Sequence, residues 1–119
     1  MKKTLVIGAS VKPDRYANKA MRQLLAHQHE VVAISNRAGQ VEDVVFHTDL
    51  PKFDDIDTVT LYLNPTRQKD YYDYIVSLKP HRVIFNPGTE NPEFYRILKE
   101  NEISFEEACS LVLLSTNQY

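Results

Sequence analysis

The sequence has little of several features that mark particular protein classes. It contains one cysteine in 119 residues, so no intramolecular disulfide can form, which fits a reducing compartment. No apolar run approaches the ~20 residues of a membrane-spanning helix. The apolar run in residues 1–10 is short for a secretory signal and charged residues follow it at once, so a signal peptide is not favoured. We therefore expect a cytoplasmic protein.

The chain also lacks an excess of charge of either sign. The formal net charge is −2 and no basic patch is present, which argues against a nucleic acid or a membrane surface as the partner. Apolar residues make up 43% and charged residues 25% of the sequence, as in ordinary globular proteins. The length suits one domain, residues 1–119.

Short apolar runs alternate with segments of helical periodicity. The pattern predicts buried strands over 4–9, 31–35, 58–64, 82–86 and 103–108. It predicts helices over 17–28, 66–79 and 91–101. The N-cap of the second helix is Asn64 or Thr66, and that of the third is Asn91. Residues 110–115 fit a helix or a strand. This alternation predicts an α/β fold of three layers, a Rossmann-like, doubly wound parallel sheet of about five strands.

In such a sheet, ligands bind beyond the carboxyl ends of the strands. The loop after the first strand begins at Gly8 and offers the Ser10 hydroxyl and the Lys12 ammonium next to a predicted helix N-terminus, a combination that favours phosphate. The three-glycine dinucleotide fingerprint is missing, because Ser10 and Pro13 occupy the second and third glycine positions. Gly8 as a simple strand terminator is the alternative.

The loop after the second strand reads Ser35-Asn36-Arg37. A classical NAD site has a carboxylate here for the ribose hydroxyls. An arginine instead favours a phosphorylated ribose, which is found in both NADP and coenzyme A. A solvated arginine in a turn is the alternative.

The third and fourth loops are compatible with a site but less specific. Pro65 fixes a turn between Asn64 and Arg67, and Pro87-Gly88 is a turn signal after the fourth strand. Ordinary strand-to-helix turns explain both loops equally well.

Nothing in the sequence indicates a catalytic or metal centre. None of the four histidines has metal-ligand spacing to another ligand, and His27 and His29 do not face each other on the predicted helix. Cys109 is the one candidate nucleophile, and a lone cysteine beside an apolar run is more often a buried small hydrophobe. Catalysis is left open, with a non-enzyme favoured and no metal expected.

The order of several short motifs resembles that of the small CoA-binding domain proteins. These are stand-alone relatives of the CoA-binding Rossmann domain in the succinyl-CoA synthetase alpha subunit. The segments that carry the resemblance are Gly8-Ala9-Ser10, Lys12-Pro13, Ser35-Asn36, residues 63–65, residues 86–91 and residues 107–114. The resemblance covers nearly the whole chain. It implies a Rossmann-like domain that binds coenzyme A or an acyl-CoA.

The resemblance also implies which residues form the site. By position these are Gly8, Ala9, Ser10, Lys12, Pro13, Ser35, Asn36, Arg37, Leu63, Asn64, Pro65, Asn86, Pro87, Gly88 and Cys109. Cys109 matches a cysteine often found near the end of these domains, and one hypothesis is a mixed disulfide with the CoA thiol. The synthetase has a further domain with a phosphorylated histidine and an ATP-grasp partner subunit. This chain is too short for that domain, so ligase activity is not implied.

Three hypotheses follow. The first is a binding module for coenzyme A or an acyl-CoA. The second is a small NADP-dependent reductase, which Arg37 allows but which lacks a proton donor and a substrate domain. The third is an interaction protein without a ligand, in which the apolar C-terminal segment pairs two subunits as a homodimer.

Overall fold

Five parallel strands form the central sheet of the computed structural model, which describes residues 2–119. They are β1 (Thr4–Ile7), β2 (Val31–Ile34), β5 (Thr58–Leu61), β6 (Arg82–Phe85) and β7 (Ser104–Glu107). Their order across the sheet is β2-β1-β5-β6-β7. Each predicted strand is present, so the predicted α/β fold with a doubly wound parallel sheet is confirmed.

Five α-helices flank the sheet, which gives the three predicted layers. They are α1 (Tyr16–Ala26), α2 (Pro65–Gln68), α3 (Tyr72–Leu78), α4 (Pro92–Glu100) and α5 (Ser110–Ser115). The predicted N-caps are confirmed, since Asn64 accepts from the Arg67 backbone N–H and Asn91 from that of Phe94. None of the helices in residues 2–119 is long and apolar enough to cross a membrane.

The two faces of the sheet bury different halves of the core. Leu5 and Ile7 of β1 pack with one cluster, which includes Ile75 and Phe94 from α3 and α4. Val6 points to the other cluster, which contains four helical residues, Ala17, Met21, Leu24 and Leu114 of α1 and α5. Successive side chains of a strand alternate between faces, and both faces are covered. The strand is therefore apolar at every position after Thr4.

The predicted helix over 66–79 is wrong as one continuous element. A 3₁₀ turn, Lys69–Tyr71, separates α2 from α3. The break follows Gln68, a fully buried residue whose amide donates hydrogen bonds to the Leu63 and Thr89 carbonyls. These bonds hold α2 against the loops that follow β5 and β6. The tyrosines of this segment pack against the core, with the ring of Tyr72 stacked 4.4 Å from that of Phe94.

A small antiparallel hairpin was not predicted. It joins β3 (Gln40–Val41) to β4 (Val44–Val45), and Glu42 adopts φ 51° in its turn. Two residues per strand are too few to show periodicity, and the turn contains no glycine. After the hairpin, the backbone of His47 pairs beside β2, with His47 N–H donating to Ala33 at 2.9 Å. This segment covers the edge of β2.

The first helix ends at Ala26, so the prediction that places His27 and His29 on it is wrong. His27 is the C-cap, and His29 follows it in the connection to β2. There the Nδ1 atom of His29 accepts a hydrogen bond of 2.9 Å from the Lys2 backbone N–H. Burial, together with nearby positive charge, lowers the pKa of His29 from its ordinary value of 6.5.

We expect His29 to make stability depend on pH. Because its pKa is lower in the folded state, the unfolded chain binds the proton more readily, and stability is lost as pH falls below about 6.5. Urea unfolding at pH 7.5 and 5.5 should show a smaller loss for His29→Gln than for the wild type. His27→Gln is the control, because His27 is exposed. Equal losses in all three proteins would contradict the prediction.

Candidate functional site

An open cleft lies where the strand order changes direction. From β1 the chain passes to β2 on one side and later to β5 on the other, and ligands of doubly wound sheets bind at this switch point. The cleft has a volume of about 540 Å³ and is bordered by the loops that follow β1, β2, β5 and β6. The sequence prediction had selected these four loops.

Most of the predicted site residues line this cleft. They are Gly8, Ala9, Ser10, Lys12, Ser35, Asn36, Arg37, Leu63, Asn64, Pro87 and Gly88. Four predicted residues, Pro13, Pro65, Asn86 and Cys109, are not among the lining residues. The lining residues that sequence analysis did not select include Arg15, Tyr16, Phe46, Arg67, Tyr71 and Thr89.

Gly8 brings the end of β1 close to the loop after β5. Its φ is 98°, and a Cβ built on it would lie 3.1 Å from the Leu63 side chain and from the backbone of Tyr62. Its N–H donates to the Ile34 carbonyl at 3.0 Å, as does that of Ala9 at 3.1 Å. The N–H groups of these two lining residues are therefore already paired.

The loop after β1 is fixed to α1 by a buried asparagine. Asn18 donates to the Ser10 carbonyl at 2.9 Å, and its oxygen accepts from Arg22 Nε at 2.7 Å. The Ser10 hydroxyl accepts from the Lys12 N–H at 3.1 Å. Asn18 was missed because its place in an apolar helical stripe gives no sign of a polar contact. These hydrogen bonds hold the backbone of the loop that carries Lys12.

The N-terminus of α1 opens into the cleft. Arg15 precedes the helix in an extended conformation, and its side chain does not cap it, while Arg15, Tyr16 and Ala17 all line the cleft. The first N–H groups of a helix lack intrahelical partners and carry the positive end of the helix dipole. This end of the cleft is thus suited to an anion.

The charges in the cleft are all of one sign. Lys12, Arg15, Arg37 and Arg67 line it, and no aspartate or glutamate does. None of these four cations takes part in an ion pair within residues 2–119. A chain with a net charge of −2 therefore concentrates positive potential here, and such clefts attract anionic ligands.

The β2 side of the cleft is shaped by the hairpin. Ser35 N–H donates to the His47 carbonyl at 3.0 Å, and the Ser35 hydroxyl accepts from Arg37 N–H at 3.3 Å. The ring of Phe46 is buried and contributes to the lining. A Cβ on Gly39 would lie 2.6 Å from Val11 and 3.0 Å from Phe46, so the hairpin packs directly against the loop after β1.

The other side of the cleft is held by Gln68. Its Nε2 donates at 2.8 Å to the Leu63 carbonyl and at 2.8 Å to the Thr89 carbonyl, and its Oε1 accepts from Asn91 at 3.0 Å. The loops after β5 and β6 are thus joined through one fully buried amide. Sequence analysis offers no signal for this role, since a glutamine in a helical segment is ordinarily exposed.

We expect Gln68→Leu to lower the free energy of unfolding by roughly 2–6 kcal/mol. Removing the amide leaves two buried carbonyls without their partner, at about 1–3 kcal/mol each, while the Asn91 amide keeps its hydrogen bond to the Tyr72 hydroxyl. Urea denaturation measures the change. The matched control is Gln23→Leu on the exposed face of α1, for which we expect a change below about 0.5 kcal/mol. Equal losses of stability at the two positions would contradict the role of Gln68 in joining the two loops.

Asn86 and Cys109 lie behind the cleft, next to α5. Asn86 is buried and donates to Thr60 at 2.7 Å and to the Leu61 carbonyl at 2.9 Å, while its oxygen accepts from the Ser110 N–H at 2.9 Å. Cys109 is the partly buried N-cap residue of α5.

In the lining of the cleft, burial raises the pKa of Tyr62 to about 12, so its hydroxyl stays protonated at neutral pH.

A family model described as a CoA binding domain matches residues 2–115. The chain belongs to the CoA binding domain family. No curated protein matches the chain. The resemblance inferred from the motif order is thereby confirmed. In this CoA binding domain, the matched residues include all the loops that border the cleft.

Solved structures share the fold of this chain. One uncharacterized protein of known crystal structure is 46% identical, with a TM-score of 0.98, and the alignment covers 100% of this chain and 98% of that one. A protein from Thermus thermophilus is 21% identical with a TM-score of 0.87, covering 99% and 90% of the two chains. At that identity the likeness shows the fold alone.

A larger enzyme contains the same fold. The dinucleotide-forming acetyl-coenzyme A synthetase 1 of Ca. Korarchaeum cryptofilum, solved with phosphate and ADP, is 16% identical with a TM-score of 0.71. The alignment covers 87% of this CoA binding domain and 25% of the synthetase chain. This likeness also concerns the fold alone.

Proposed function

We propose that this protein binds coenzyme A in the cleft at the ends of β1 and β5. The observation that carries the proposal is the match of the CoA binding domain family to a chain whose switch-point cleft is lined by cations and by no carboxylate. Coenzyme A carries a pyrophosphate and a 3′-phosphate, so its charge complements that of the cleft.

The pyrophosphate has a natural place at the N-terminus of α1. There the uncapped N–H groups, the helix dipole and the side chains of Lys12 and Arg15 all favour negative charge. In doubly wound sheets, the ribose of a nucleotide lies near the end of the second strand. Arg37 follows β2 and would bind the 3′-phosphate, because a guanidinium can make two parallel hydrogen bonds to phosphate.

The remainder of the ligand would then extend in the opposite direction. Pantetheine leaves the pyrophosphate on the side away from the adenosine and would run towards the loops after β5 and β6. Those loops contribute Leu63, Pro87 and Gly88 to the cleft. Cys109 is not among the lining residues, so a mixed disulfide with CoA would require the thiol to pass beyond them.

NADP is a second candidate ligand, because Arg37 suits a 2′-phosphate as well as a 3′-phosphate. Calorimetric titration of the reduced protein with CoA, dephospho-CoA, NADP and NAD separates the candidates. We expect CoA to bind at least about tenfold more tightly than dephospho-CoA, since a charge-assisted contact contributes about 1.5–3 kcal/mol. Binding of NADP with no response to CoA would overturn the proposal in favour of a reductase. No response to any of the four ligands would instead favour the interaction protein.

A further inference from the structure

The residues that follow α5 fold back onto the edge of the sheet at which the strands begin, opposite the cleft. Gln118 N–H donates to the Leu113 carbonyl at 2.7 Å, and Asn117 adopts φ 57°, a left-handed conformation that asparagine tolerates better than most residues. We call residues 116–119 the strap. The reversal brings Tyr119 to the first residue of β1.

Tyr119 attaches the strap to three separate parts of the chain. Its hydroxyl is hydrogen-bonded to Thr4 Oγ1 at 2.7 Å, and its carbonyl accepts from Lys2 Nζ at 2.7 Å. The centre of its ring lies 4.5 Å from Cζ of Arg82 on β6 and 5.0 Å from the centre of the His29 ring. The strap therefore contacts the start of β1, the start of β6 and the connection between α1 and β2.

His29 supports this attachment in its neutral form alone. The Lys2 backbone N–H donates to His29 Nδ1 at 2.9 Å, and the side chain of the same lysine holds the Tyr119 carbonyl. A protonated Nδ1 is a donor and cannot accept this bond. Protonation of His29 therefore acts on the residue that holds the end of the strap.

The charged groups around His29 add no compensating attraction. Its pKa is lowered by burial and by four positive groups, the amino terminus, His27, Lys2 and Arg82. Burial raises the pKa of Tyr119, so its hydroxyl is neutral at and below pH 7. The carboxylate next in sequence, Glu30, pairs with Lys3 at 3.8 Å. A proton on His29 thus adds a fifth positive charge to its surroundings.

The closed strap also covers an N–H group that has no acceptor. Arg82 Nε donates to Thr58 Oγ1 at 2.9 Å, and its Nη1 lies 3.4 Å from Glu106. Its Nη2 is buried and has no hydrogen-bond partner among residues 2–119. Burying such a group costs free energy, and water would satisfy it once the Tyr119 ring moved away. This cost reduces the net free energy that keeps the strap closed.

We propose that the strap is a pH-sensitive device, closed while His29 is neutral and released from β1 and β6 when His29 is protonated, with the sheet still folded. Release exposes Arg82 beside Lys2 and the imidazolium. Acidification thereby creates a cluster of three positive charges at the edge where the strands begin. The inference is independent of the ligand proposed for the cleft.

The first test uses the reciprocity of coupled equilibria. If protonation of His29 releases Tyr119, then removal of Tyr119 must favour protonation of His29 by the same factor. NMR titration of the histidine ring protons measures this in the wild type and in Tyr119→Ala. We expect the pKa of His29 to rise towards its ordinary value of 6.5 in the variant. His27 is exposed and is the control in each protein, since its titration should not change.

The second test measures opening of the strap by amide hydrogen exchange at pH 7.5 and 5.0. The protection factor of the Gln118 amide should fall about fivefold in the wild type and in the control His27→Gln, as for the loss of one hydrogen bond. It should not fall in His29→Gln, which cannot be protonated. The Tyr62 amide, which pairs β5 with β1, should stay at least about tenfold better protected than Gln118 at pH 5.0, because release is local.

Three results would overturn the inference. One is an unchanged pKa of His29 in Tyr119→Ala. Another is the same pH dependence of Gln118 protection in the wild type and in His29→Gln, which needs no variant of the strap itself. The third is equal protection of Gln118 and Tyr62 at pH 5.0, because the strap would then open only when the whole domain unfolds.

Discussion

Gly8→Ala is expected to lower the free energy of unfolding by about 2–6 kcal/mol, and Gly88→Ala by about 1–3 kcal/mol. Both glycines have φ between 90° and 100°, at 98° and 91°, a region that residues with a Cβ rarely adopt. The strain contribution is therefore similar at the two positions. The difference lies in what the new methyl group meets.

At Gly8 the methyl carbon would lie 3.1 Å from the Tyr62 carbonyl carbon and oxygen, whereas at Gly88 nothing lies within 4 Å. The backbone of Tyr62 follows β5 directly, and its N–H donates to Ile7 at 2.9 Å, so it cannot move without disturbing the pairing of β1 and β5. Urea denaturation of both variants measures the two losses. Equal losses would mean that backbone strain alone matters and that the approach of the two loops is adaptable.

Two strands, β1 and β5, were predictable from the sequence because their burial is complete, whereas β7 is mostly exposed. Residues 4–7 and 58–61 are covered on both faces, so they read as continuous apolar or β-branched runs bounded by turn formers. The hairpin over 40–45 is stabilised in a different way. Its four strand residues contribute little stability alone, and the packing of Gly39 against Val11 and Phe46 holds the hairpin in place. No local sequence pattern indicates this contact.

The site was predictable in outline for a topological reason. The carboxyl ends of parallel strands meet at one edge of the sheet, so the residues after each strand converge there even when their motifs are weak. Arg15 and Tyr71 were missed because they come just before α1 and α3 and not directly after a strand, and Phe46 was missed because it follows the hairpin. Asn86 was included because the family resemblance matches it to the fourth loop, yet it is buried and bonded to Thr60 and Ser110. A match in position does not tell which way a side chain points.

Arg37→Ala should weaken the binding of CoA by about 10- to 100-fold and that of dephospho-CoA by less than about threefold, if the proposed orientation is correct. Arg37 is exposed in the loop after β2, so its removal leaves no buried group unpaired. The two ligands differ only in the 3′-phosphate. The change in the ratio of their affinities therefore isolates the contact between that phosphate and the guanidinium.

Lys12→Ala is the matched comparison, because Lys12 belongs to the loop after β1 that leads to the N-terminus of α1. A lysine that faces the pyrophosphate should affect CoA and dephospho-CoA by the same factor, since both ligands retain that group. The double variant should combine the two losses additively if the residues hold separate phosphates. Calorimetry of the four proteins with the two ligands provides all the required ratios. An equal loss of both ligands in Arg37→Ala would place Arg37 at the pyrophosphate and would require the 3′-phosphate to lie elsewhere. A loss specific to CoA in Lys12→Ala would reverse the assignment, because the 3′-phosphate would then sit over the loop after β1.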